Sequence, residues 1–311
     1  MTGDKHIMSR KIIYLINPIS GTRGKTSLQE LITRRTTTQK IDFSIMPTDA
    51  TGNYDYLIPV IEKEKITDIV VCGGDGTVSA VAAALMGTTT RIGIIPTGSG
   101  NGLAFAAQIP AAPSRALDII FAGKAAPIDG FTINGRFSCM LCGIGFDAEV
   151  AHEFAKQKTR GLQTYIRVSF ARFFHTSAYR FRISVPAPPG AEYNFSLDAF
   201  FISVANGNQF GNNFTIAPKA RLDDGLLDIV VVKRMGKFHM VLAVLRQVLG
   251  GNRLRAISDR VHRSTILYFQ APALTIDNLD EAPLHIDGDP RDTARHFDIR
   301  IVPGAFTLIQ P

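Results

Sequence analysis

Along residues 10–128, short apolar runs alternate with stretches whose apolar residues recur every three or four positions. The first pattern predicts buried β-strands and the second predicts amphipathic helices. The predicted strands are Lys11–Ile16, Ile41–Met46, Asp68–Cys72 and Arg91–Ile95, and the predicted helices are Leu28–Arg34, Tyr54–Glu64 and Val78–Met86. Strands that alternate with helices form a mostly parallel sheet covered on both faces, so this region is expected to be an α/β domain.

The pattern changes after residue 128, where strand-like runs follow one another with turns between them. These runs are Phe181–Val185, Ala199–Ala205, Leu227–Val232, Thr265–Phe269 and Ala273–Ile276. They predict a β-rich second domain over residues 129–296, a β-sandwich, interrupted by helix-like segments at Arg160–Phe174 and Lys237–Leu249. A last strand-like piece, Phe297–Val302, begins a C-terminal segment, 297–311, that can complete either domain.

Polar turns follow three of the four strands predicted in the first domain. They are Asn17–Gly21, Gly73–Thr77 and Pro96–Gly102. The carboxyl ends of parallel strands share one edge of a sheet, and ligands of such sheets bind beyond that edge. The sequence therefore predicts one composite ligand site built from these turns.

The turn Gly73-Gly74-Asp75-Gly76-Thr77 precedes a helix predicted to begin near Val78. Its glycines allow a ligand to approach the backbone and allow φ > 0, and the N–H groups at a helix start favour phosphate. Asp75 would repel phosphate unless it binds a metal or takes up a proton, which indicates a Mg²⁺-linked or catalytic carboxylate. The alternative is an ordinary turn and helix cap, which is typical of Gly-Asp-Gly alone.

The turn Pro96–Gly102 offers hydroxyl and backbone N–H groups without negative charge, which suits a triphosphate. Its glycine spacing, G-x-G-x-G, is not the dinucleotide-binding fingerprint. Ile19 stands where a Walker A loop through Gly24-Lys25-Thr26 would need its first glycine, so that motif is excluded as well.

Together these motifs resemble the diacylglycerol kinase catalytic domain family, which includes sphingosine and ceramide kinases. The matching segments are Asn-Pro-x-Ser-Gly at 17–21, Gly-Gly-Asp-Gly-Thr at 73–77, Pro-x-Gly-Ser-Gly-Asn at 96–101, Gly143–Val150, Ala205–Gly207 with Ala217-Pro218, Asp224–Asp228 and Ile286–Pro290. The resemblance implies a Rossmann-like nucleotide-binding domain, similar to that of NAD kinases and phosphofructokinases, followed by a β-sandwich. It also implies ATP- and Mg²⁺-dependent phosphorylation of a lipid hydroxyl.

The family resemblance assigns roles to particular residues. The implied nucleotide-binding residues are Asn17, Ser20, Gly21, Thr48, Gly73, Gly74, Asp75, Gly76, Thr77 and Ser99. Asp75 would lie next to the reacting phosphate and its metal, while Asp287 and Asp289 would provide the carboxylate that takes the lipid hydroxyl's proton. Asp289 stands where the family usually has glutamate, so the choice between the two carboxylates stays open.

The resemblance also implies a structural Mg²⁺ site in the loop before Leu227. Its ligands would be the Asp224 carboxylate and the backbone carbonyls of Arg221 and Leu226, which are hard oxygen donors suited to Mg²⁺. Asp129 matches a position that links this metal to Asp75. A solvated acidic turn is the alternative, and the family aspartate after Asn101 is replaced by Gly102.

The acceptor lipid stays open between diacylglycerol, a sphingoid base and related lipids. Ser99–Ala104 resembles the sphingosine and ceramide kinase version of its loop more than the diacylglycerol kinase version. Sphingosine kinases, however, have an aspartate that recognises the lipid amine, and the matching residue here is Ala151. Glu149 and Glu153 are the candidate replacements.

The net charge of +7 and the sequence pI of about 9.4 indicate either an anionic partner or a mildly basic enzyme whose charge serves solubility. No long Lys/Arg run is present, so a phosphorylated ligand or an anionic membrane surface is expected rather than nucleic acid. The stretch Leu162–Phe181 combines aromatic residues with arginines. It fits either an interfacial helix in contact with a bilayer or ordinary core packing.

No apolar run reaches the roughly 18 residues of a spanning helix, and the N-terminus lacks the apolar segment of a secretory signal. The expectation is a cytoplasmic protein, peripheral at the membrane if the interfacial helix is real, with its oligomeric state open. Cys72, Cys139 and Cys142 do not form a disulfide framework or a complete zinc site, and are expected to pack as apolar residues.

Other functions are consistent with part of this pattern. Phosphofructokinases and NAD kinases share the Gly-Gly-Asp-Gly turn, so a kinase with a soluble substrate is the nearest alternative. The departures at Asp289 and Gly102 leave open a catalytically silent protein that binds lipid or nucleotide. His152-Glu153 is not followed by the second histidine of a metalloprotease helix, which excludes that class.

Overall fold

The computed structural model describes residues 10–17, 25–159, 162–187, 191–208, 217, 219–236, 238–239 and 265–311. The chain divides into two units. The first contains Met1–Gly98, Ala107–Pro127 and Phe306–Pro311, and the second contains Ser99–Ala106 and Ile128–Ala305. Apart from positions 238 and 239, the helix predicted at Lys237–Leu249 lies outside the described residues, as do Ser20, Gly21 and Pro218.

The first unit is built on parallel strands in the order β2-β1-β3-β4. Their bounds are β1 Lys11–Ile16, β2 Asp42–Pro47, β3 Asp68–Gly73 and β4 Arg91–Pro96. The helices are α1 Lys25–Thr38, α2 Leu57–Glu64, α3 Asp75–Leu85 and α5 Pro113–Ala122. The end of the last strand, β15 (His296–Ile309), pairs in parallel with β4 through Thr307 and Leu308.

Burial explains why these runs form the sheet. Ile12, Leu15, Ile69, Val70 and Val71 are all fully buried, because neighbouring side chains of a strand point to opposite faces and helices cover both. The prediction of a parallel α/β domain is confirmed. The strand boundaries agree to within one residue, whereas α2 begins at Leu57 rather than Tyr54 and α3 begins at Asp75 rather than near Val78.

A buried carboxylate ties the strands together at the edge opposite the polar turns. Asp68 begins β3 and is fully buried. It pairs with Arg10, which precedes β1, and with Arg91, which begins β4 and whose Nε lies 2.5 Å from Asp68 Oδ1. A buried charge needs such partners. The N-terminal ends of β1, β3 and β4 are therefore aligned, and so are their C-terminal ends.

The second unit is β-rich. Its strands are β5 (Ala125–Ile133) from Ile128 onwards, β6 Arg136–Ser138, β7 Leu141–Gly145, β8 Tyr179–Ala187, β9 Ala191–Ala205, β10 Leu227–Lys233, β11 Ile266–Ala271, β12 Ala273–Asn278, β13 Leu284–Ile286, β14 Asp289–Arg291 and the first part of β15. Its helices are α4 Gly102–Ala106, α6 Phe146–Ala155 and α7 Leu162–Phe173. The early part of the long strand β9 pairs with β8, and its C-terminal half lies between β7 and β10.

Inward-facing aromatic and branched residues form the core of this unit. Phe131, Phe181, Ile202, Ile229 and Phe297 lie together in one buried cluster. Because alternate residues of each strand face this core, the prediction of a sandwich-like second domain is confirmed. The cysteines are also as predicted, since Cys72, Cys139 and Cys142 are buried and form no disulfide.

Candidate active-site elements

The strand register brings the predicted turns of the first unit to one edge. Ile16 is opposite both Pro47 and Cys72, and Gly73 is opposite Pro96. The turns after β1, β2, β3 and β4 therefore begin at the same level. Hydrogen bonds join them in pairs, because the Thr48 N–H donates to the Ile16 carbonyl and the Thr97 N–H donates to the Gly73 carbonyl, both at 3.1 Å.

The turn after β3 is tightly packed at Gly73 and Gly74, where an added side chain would require the neighbouring atoms to shift by a few tenths of an ångström. A β-carbon on Gly73 would lie 3.1 Å from Cβ of Thr77, and one on Gly74 would lie 3.1 Å from Cα of Gly98. Gly74 has φ of −104°, and neither Gly73 nor Gly76 has positive φ. The expectation that these glycines supply φ > 0 is wrong, and close approach is the reason for Gly73 and Gly74.

Asp75 is the first residue of α3, so Asp75, Gly76 and Thr77 form the first helical turn. Gly74 precedes the helix and provides no side-chain cap. The first N–H groups of a helix have no partner within the helix and carry its positive dipole end. A carboxylate is favoured there, and so is a bound phosphate. The position of the turn at the start of α3 is compatible with phosphate binding, which stays a prediction.

The turn after β4 leads from the first unit into the second, because the division falls between Gly98 and Ser99. Asn101 adopts a left-handed φ of +56°, which asparagine tolerates better than most residues. Its carbonyl accepts the Phe105 N–H at 3.1 Å as α4 begins at Gly102. Ser99 is thus the member of the predicted nucleotide set that belongs to the second unit.

Asp129 is a buried carboxylate bonded to backbone amides. Its Oδ2 accepts the Gly225 N–H at 2.7 Å and its Oδ1 accepts the Gly304 N–H at 2.8 Å. Its own N–H donates to the Leu222 carbonyl at 2.6 Å. Asp129 therefore supports the loop Arg221–Leu226 directly, whereas its implied link to Asp75 stays a prediction.

The same loop contains Asp224, whose Oδ1 accepts the Leu226 N–H at 3.1 Å. Burial raises the pKa of Asp224 above its usual 3.8, and the negative charge of Asp129 raises it further, against the opposing effect of the Leu226 N–H. A cation would relieve both effects, so the residues fit Mg²⁺. Among the described residues no group of three or more His, Cys, Asp or Glu side chains forms a metal site, so such a cation would need backbone carbonyls.

Asp287 and Asp289 lie on one hairpin but in different surroundings. Asp287-Gly288 is a two-residue turn between β13 and β14, with φ of +52° and +83°. Asp287 Oδ1 accepts the Ser138 hydroxyl at 2.8 Å and the Leu141 N–H at 3.2 Å. Asp289 is 59% exposed in its side chain and lies 3.8 Å from Nη2 of Arg291.

A buried histidine behind this hairpin was missed by the sequence analysis. Nε2 of His285 lies 3.4 Å from Oδ2 of Asp147, and Nδ1 of His285 accepts the Gly288 N–H at 3.2 Å. Asp147 belongs to the Gly143–Val150 motif, which was noted only for its resemblance. The sequence carries no signal that these residues meet, because 138 positions separate them.

Comparison with known proteins connects these elements to a family. Residues 11–133 match the family model "Diacylglycerol kinase catalytic domain", and residues 141–310 match "YegS C-terminal NAD kinase beta sandwich-like domain". The second match alone covers more than half of the chain. The chain belongs to the diacylglycerol kinase-like family of lipid kinases.

Relatives in this family match most of the chain. A protein named "Probable lipid kinase YegS-like" from Xanthomonas axonopodis pv. citri is 28% identical over 283 residues, 87% of each chain. One of the same name from Pectobacterium atrosepticum is 30% identical over 248 residues, 78% of this chain and 77% of the relative. A diacylglycerol kinase structure from Bacillus anthracis str. Sterne shares the fold, with a TM-score of 0.71 and 22% identity over 97% of both chains.

For this member of the diacylglycerol kinase-like family, the candidate amine-binding carboxylates are already engaged. Glu149 Oε1 accepts the hydroxyl of Tyr179 at 2.6 Å and that of Thr176 at 3.3 Å. The guanidinium of Arg172 lies 2.6 Å from Glu153 and lowers its pKa. Ala151 is buried. The structure thus offers no support for Glu149 or Glu153 as a replacement for the sphingosine kinase aspartate.

In this member of the kinase family, some apolar side chains of the stretch Leu162–Phe181 lie in the core and others lie on the surface. Phe181 is fully buried, and Tyr165 packs against Phe154 with ring centroids 5.8 Å apart. In contrast, Ile166, Phe170 and Phe174 occur at every fourth residue and are 57%, 66% and 55% exposed. We call these three residues the α7 apolar face. Within the described part of the chain, no helix is long and apolar enough to span a bilayer.

Proposed function

We propose that this protein transfers the γ-phosphoryl group of Mg²⁺-ATP to a hydroxyl group of a membrane-derived lipid. The observation that carries the proposal is the set of turns that begin level at the carboxyl edge of the parallel sheet, among them Gly73–Thr77 at the start of α3. Phosphoryl transfer depends chiefly on positioning and on neutralising phosphate charge. A tightly packed glycine turn at a helix N-terminus meets both needs.

The nucleotide would bind to this edge of the first unit. In the proposal the nucleotide contacts the residues that the family pattern implies, which are Asn17, Ser20, Gly21, Thr48, Gly73, Gly74, Asp75, Gly76, Thr77 and Ser99. Asp75 would hold the Mg²⁺ that accompanies ATP, and this ion would supply charge neutralisation for the transferred phosphate. Ser20 and Gly21 lie outside the described residues, so their part in the site rests on sequence alone.

Asp289 is the proposed proton acceptor for the lipid hydroxyl. A general base must be reachable by its substrate, and the Asp289 side chain is 59% exposed with a 3.8 Å contact to Arg291. Asp287 has a different part in the proposal. Because its Oδ1 already accepts two hydrogen bonds from Ser138 and Leu141, it anchors the turn.

The proposed acceptor is a lipid alcohol without a cationic amine, such as a diacylglycerol. An amine would need a carboxylate beside it, since an unpaired buried cation is costly. Ala151 provides none, and Glu149 and Glu153 already have partners. A structural Mg²⁺ held by the Asp224 carboxylate and the carbonyls of Arg221 and Leu226 belongs to the same proposal, with Asp129 supporting the loop.

Peripheral binding to an anionic membrane would bring the enzyme to its substrate. The α7 apolar face is large and aromatic, and the Phe170 and Phe174 rings contact each other at 5.0 Å between centroids. No acidic residue occurs from Leu162 to His175, whereas Arg167 is exposed there. Apolar and basic side chains on one helix face are typical of helices that lie in the membrane interface.

The deciding experiment measures transfer from radiolabelled ATP to a panel of acceptors in mixed micelles with Mg²⁺. The panel contains diacylglycerol, monoacylglycerol, phosphatidylglycerol, sphingosine and ceramide, with NAD and fructose 6-phosphate as soluble controls. Label is expected in a lipid that lacks an amine. Label in NAD or the sugar phosphate, with none in any lipid, would replace this proposal by the soluble-substrate kinase.

A further inference from the structure

His285 occupies a closed space behind the Asp287-Gly288 turn. It lies in β13 directly opposite Gly143 of β7, and its side chain is 1% exposed. A β-carbon on Gly143 would lie 2.0 Å from Oδ2 of Asp147 and 2.4 Å from Nε2 of His285. Only glycine at position 143 therefore leaves room for the imidazole and the Asp147 carboxylate to meet.

The hydrogen bonds determine which tautomer the imidazole adopts. The Gly288 N–H is a donor, so Nδ1 of His285 must be an acceptor and carries no proton. The proton of the neutral ring is then on Nε2, which faces Oδ2 of Asp147 at 3.4 Å. A carboxylate behind a histidine fixes the tautomer and the orientation of the ring.

The turn held in this way is conformationally demanding. Both turn residues have positive φ, +52° at Asp287 and +83° at Gly288, a conformation that aspartate and glycine tolerate better than most other residues. Asp287 is anchored on one side by Ser138 and Leu141, and Gly288 is anchored on the other by His285. Asp289 follows this turn immediately, so the position of its carboxylate depends on the conformation of the turn.

We propose that His285, oriented by Asp147, is a positioning residue that holds the Asp287-Gly288 turn and thereby places Asp289. The proposal rests on the proposed function, in which Asp289 accepts the proton of the lipid hydroxyl. His285 itself does not contact substrate. Its loss affects the chemical step rather than nucleotide binding, because the nucleotide-binding turns belong to other elements.

Two substitutions separate the two contacts of the ring. In His285→Asn, the amide oxygen can take the place of Nδ1 and accept the Gly288 N–H, but the side chain is too short to reach Asp147. In His285→Gln, the amide can donate to Asp147 from the place of Nε2 but does not supply an acceptor at Nδ1. His285→Ala removes both contacts, and His296→Ala is a control in which an exposed histidine is lost.

The first readout is steady-state kinetics with the best lipid of the panel. His285→Ala and His285→Gln are expected to lower kcat about 10- to 100-fold with KM for ATP within about twofold, as for a misplaced catalytic group. His285→Asn is expected to keep kcat within about fivefold of wild type, the effect of roughly one hydrogen bond. If circular dichroism shows that His285→Ala is unfolded, the comparison of kcat between His285→Asn and His285→Gln decides instead.

The second readout is hydrogen–deuterium exchange of the peptide that spans residues 284–291, which needs no activity. Faster exchange in His285→Gln than in His285→Asn supports the proposal. Equal exchange in all folded variants, or equal loss of kcat in Asn and Gln, overturns it. If wild type phosphorylates no lipid, the proposed function fails and exchange alone decides the role of His285.

Discussion

A β-carbon on Gly74 would lie 3.1 Å from the Cα of Gly98. The neighbouring atom belongs to the backbone and cannot rotate away, and φ at Gly74 is −104°, which alanine adopts readily. Any effect of adding a methyl group therefore reports crowding between the turns after β3 and β4, not backbone strain.

Gly74→Ala is expected to raise KM for ATP about tenfold, because these two turns must separate by a few tenths of an ångström at the proposed phosphate site. Overpacking also lowers the free energy of unfolding by about 1 kcal/mol. Steady-state kinetics measures KM for ATP, and thermal denaturation measures the loss of stability. Gly236→Ala is the matched control, since among the described residues the nearest atom to an added β-carbon is Nδ1 of His239, at 3.5 Å. An unchanged KM in Gly74→Ala would contradict the assignment of this turn to the nucleotide.

Asp75→Asn is expected to abolish transfer, with a loss of about 10³-fold or more, because it removes the charge that is proposed to hold Mg²⁺ beside the phosphate. The fold should persist, since asparagine is isosteric and the helix-dipole interaction lost is about 0.3–1 kcal/mol. The assay is labelled-ATP transfer together with the melting temperature. Asp55→Asn, which neutralises an exposed carboxylate in the same unit, should leave transfer unchanged. Full activity in Asp75→Asn would refute the role of Asp75.

Asp289→Asn is expected to affect catalysis alone, whereas Asp287→Asn is expected to affect stability as well. Loss of the proton acceptor in Asp289→Asn is expected to lower kcat about 10²–10⁴-fold with no change in melting temperature. Asp287→Asn weakens the bonds to Ser138 and Leu141, so the melting temperature should fall as well. Asp289→Glu, which introduces the glutamate usual in the family, serves as the charge-conserving control and should retain activity. A large loss of kcat in Asp287→Asn alone would move the base role to Asp287.

Phe170→Ser is expected to weaken binding to phosphatidylglycerol-containing vesicles about 10- to 150-fold, since burying a phenylalanine contributes about 1.5–3 kcal/mol. Co-sedimentation measures the binding, and kcat on lipid in detergent micelles should be unaffected. Leu279→Ser is the control, because Leu279 is 48% exposed outside α7. Equal vesicle binding by Phe170→Ser and wild type would exclude the α7 apolar face as the docking surface.

The loop cation gives a pH-dependent prediction. Burial raises the pKa of Asp224 in the folded state, so its contribution to stability becomes less favourable as the pH rises from the unfolded value near 3.8 through the raised value. Mg²⁺ binds the charged carboxylate and should raise the melting temperature at pH 7, with a smaller effect as the pH falls towards 4. Asp224→Asn should abolish the Mg²⁺ effect and, without Mg²⁺, be at least as stable as wild type. A Mg²⁺ effect retained in Asp224→Asn would place the cation elsewhere.

The strands of the first unit were predictable because each is a short run of branched apolar residues that must be buried on both faces. The same reasoning located the turns, since parallel strands of equal length end at one edge. The sequence pattern gave two reasons for the glycines of Gly73–Thr77, close approach and φ > 0, and the second reason is wrong. Crowding between Gly74 and Gly98 depends on the distance between two strands, which no local pattern contains.

The sequence by itself determined the α/β and β-rich division of the chain, the polar turns and the family to which the motifs belong, because these depend on local periodicity and short motifs. The tertiary structure decided the different surroundings of Asp287 and Asp289, the contact of His285 with Asp147, and the exposure of Phe170 but not Phe181. Each of these depends on which distant segments pack together, and packing is a property of the whole fold rather than of any segment.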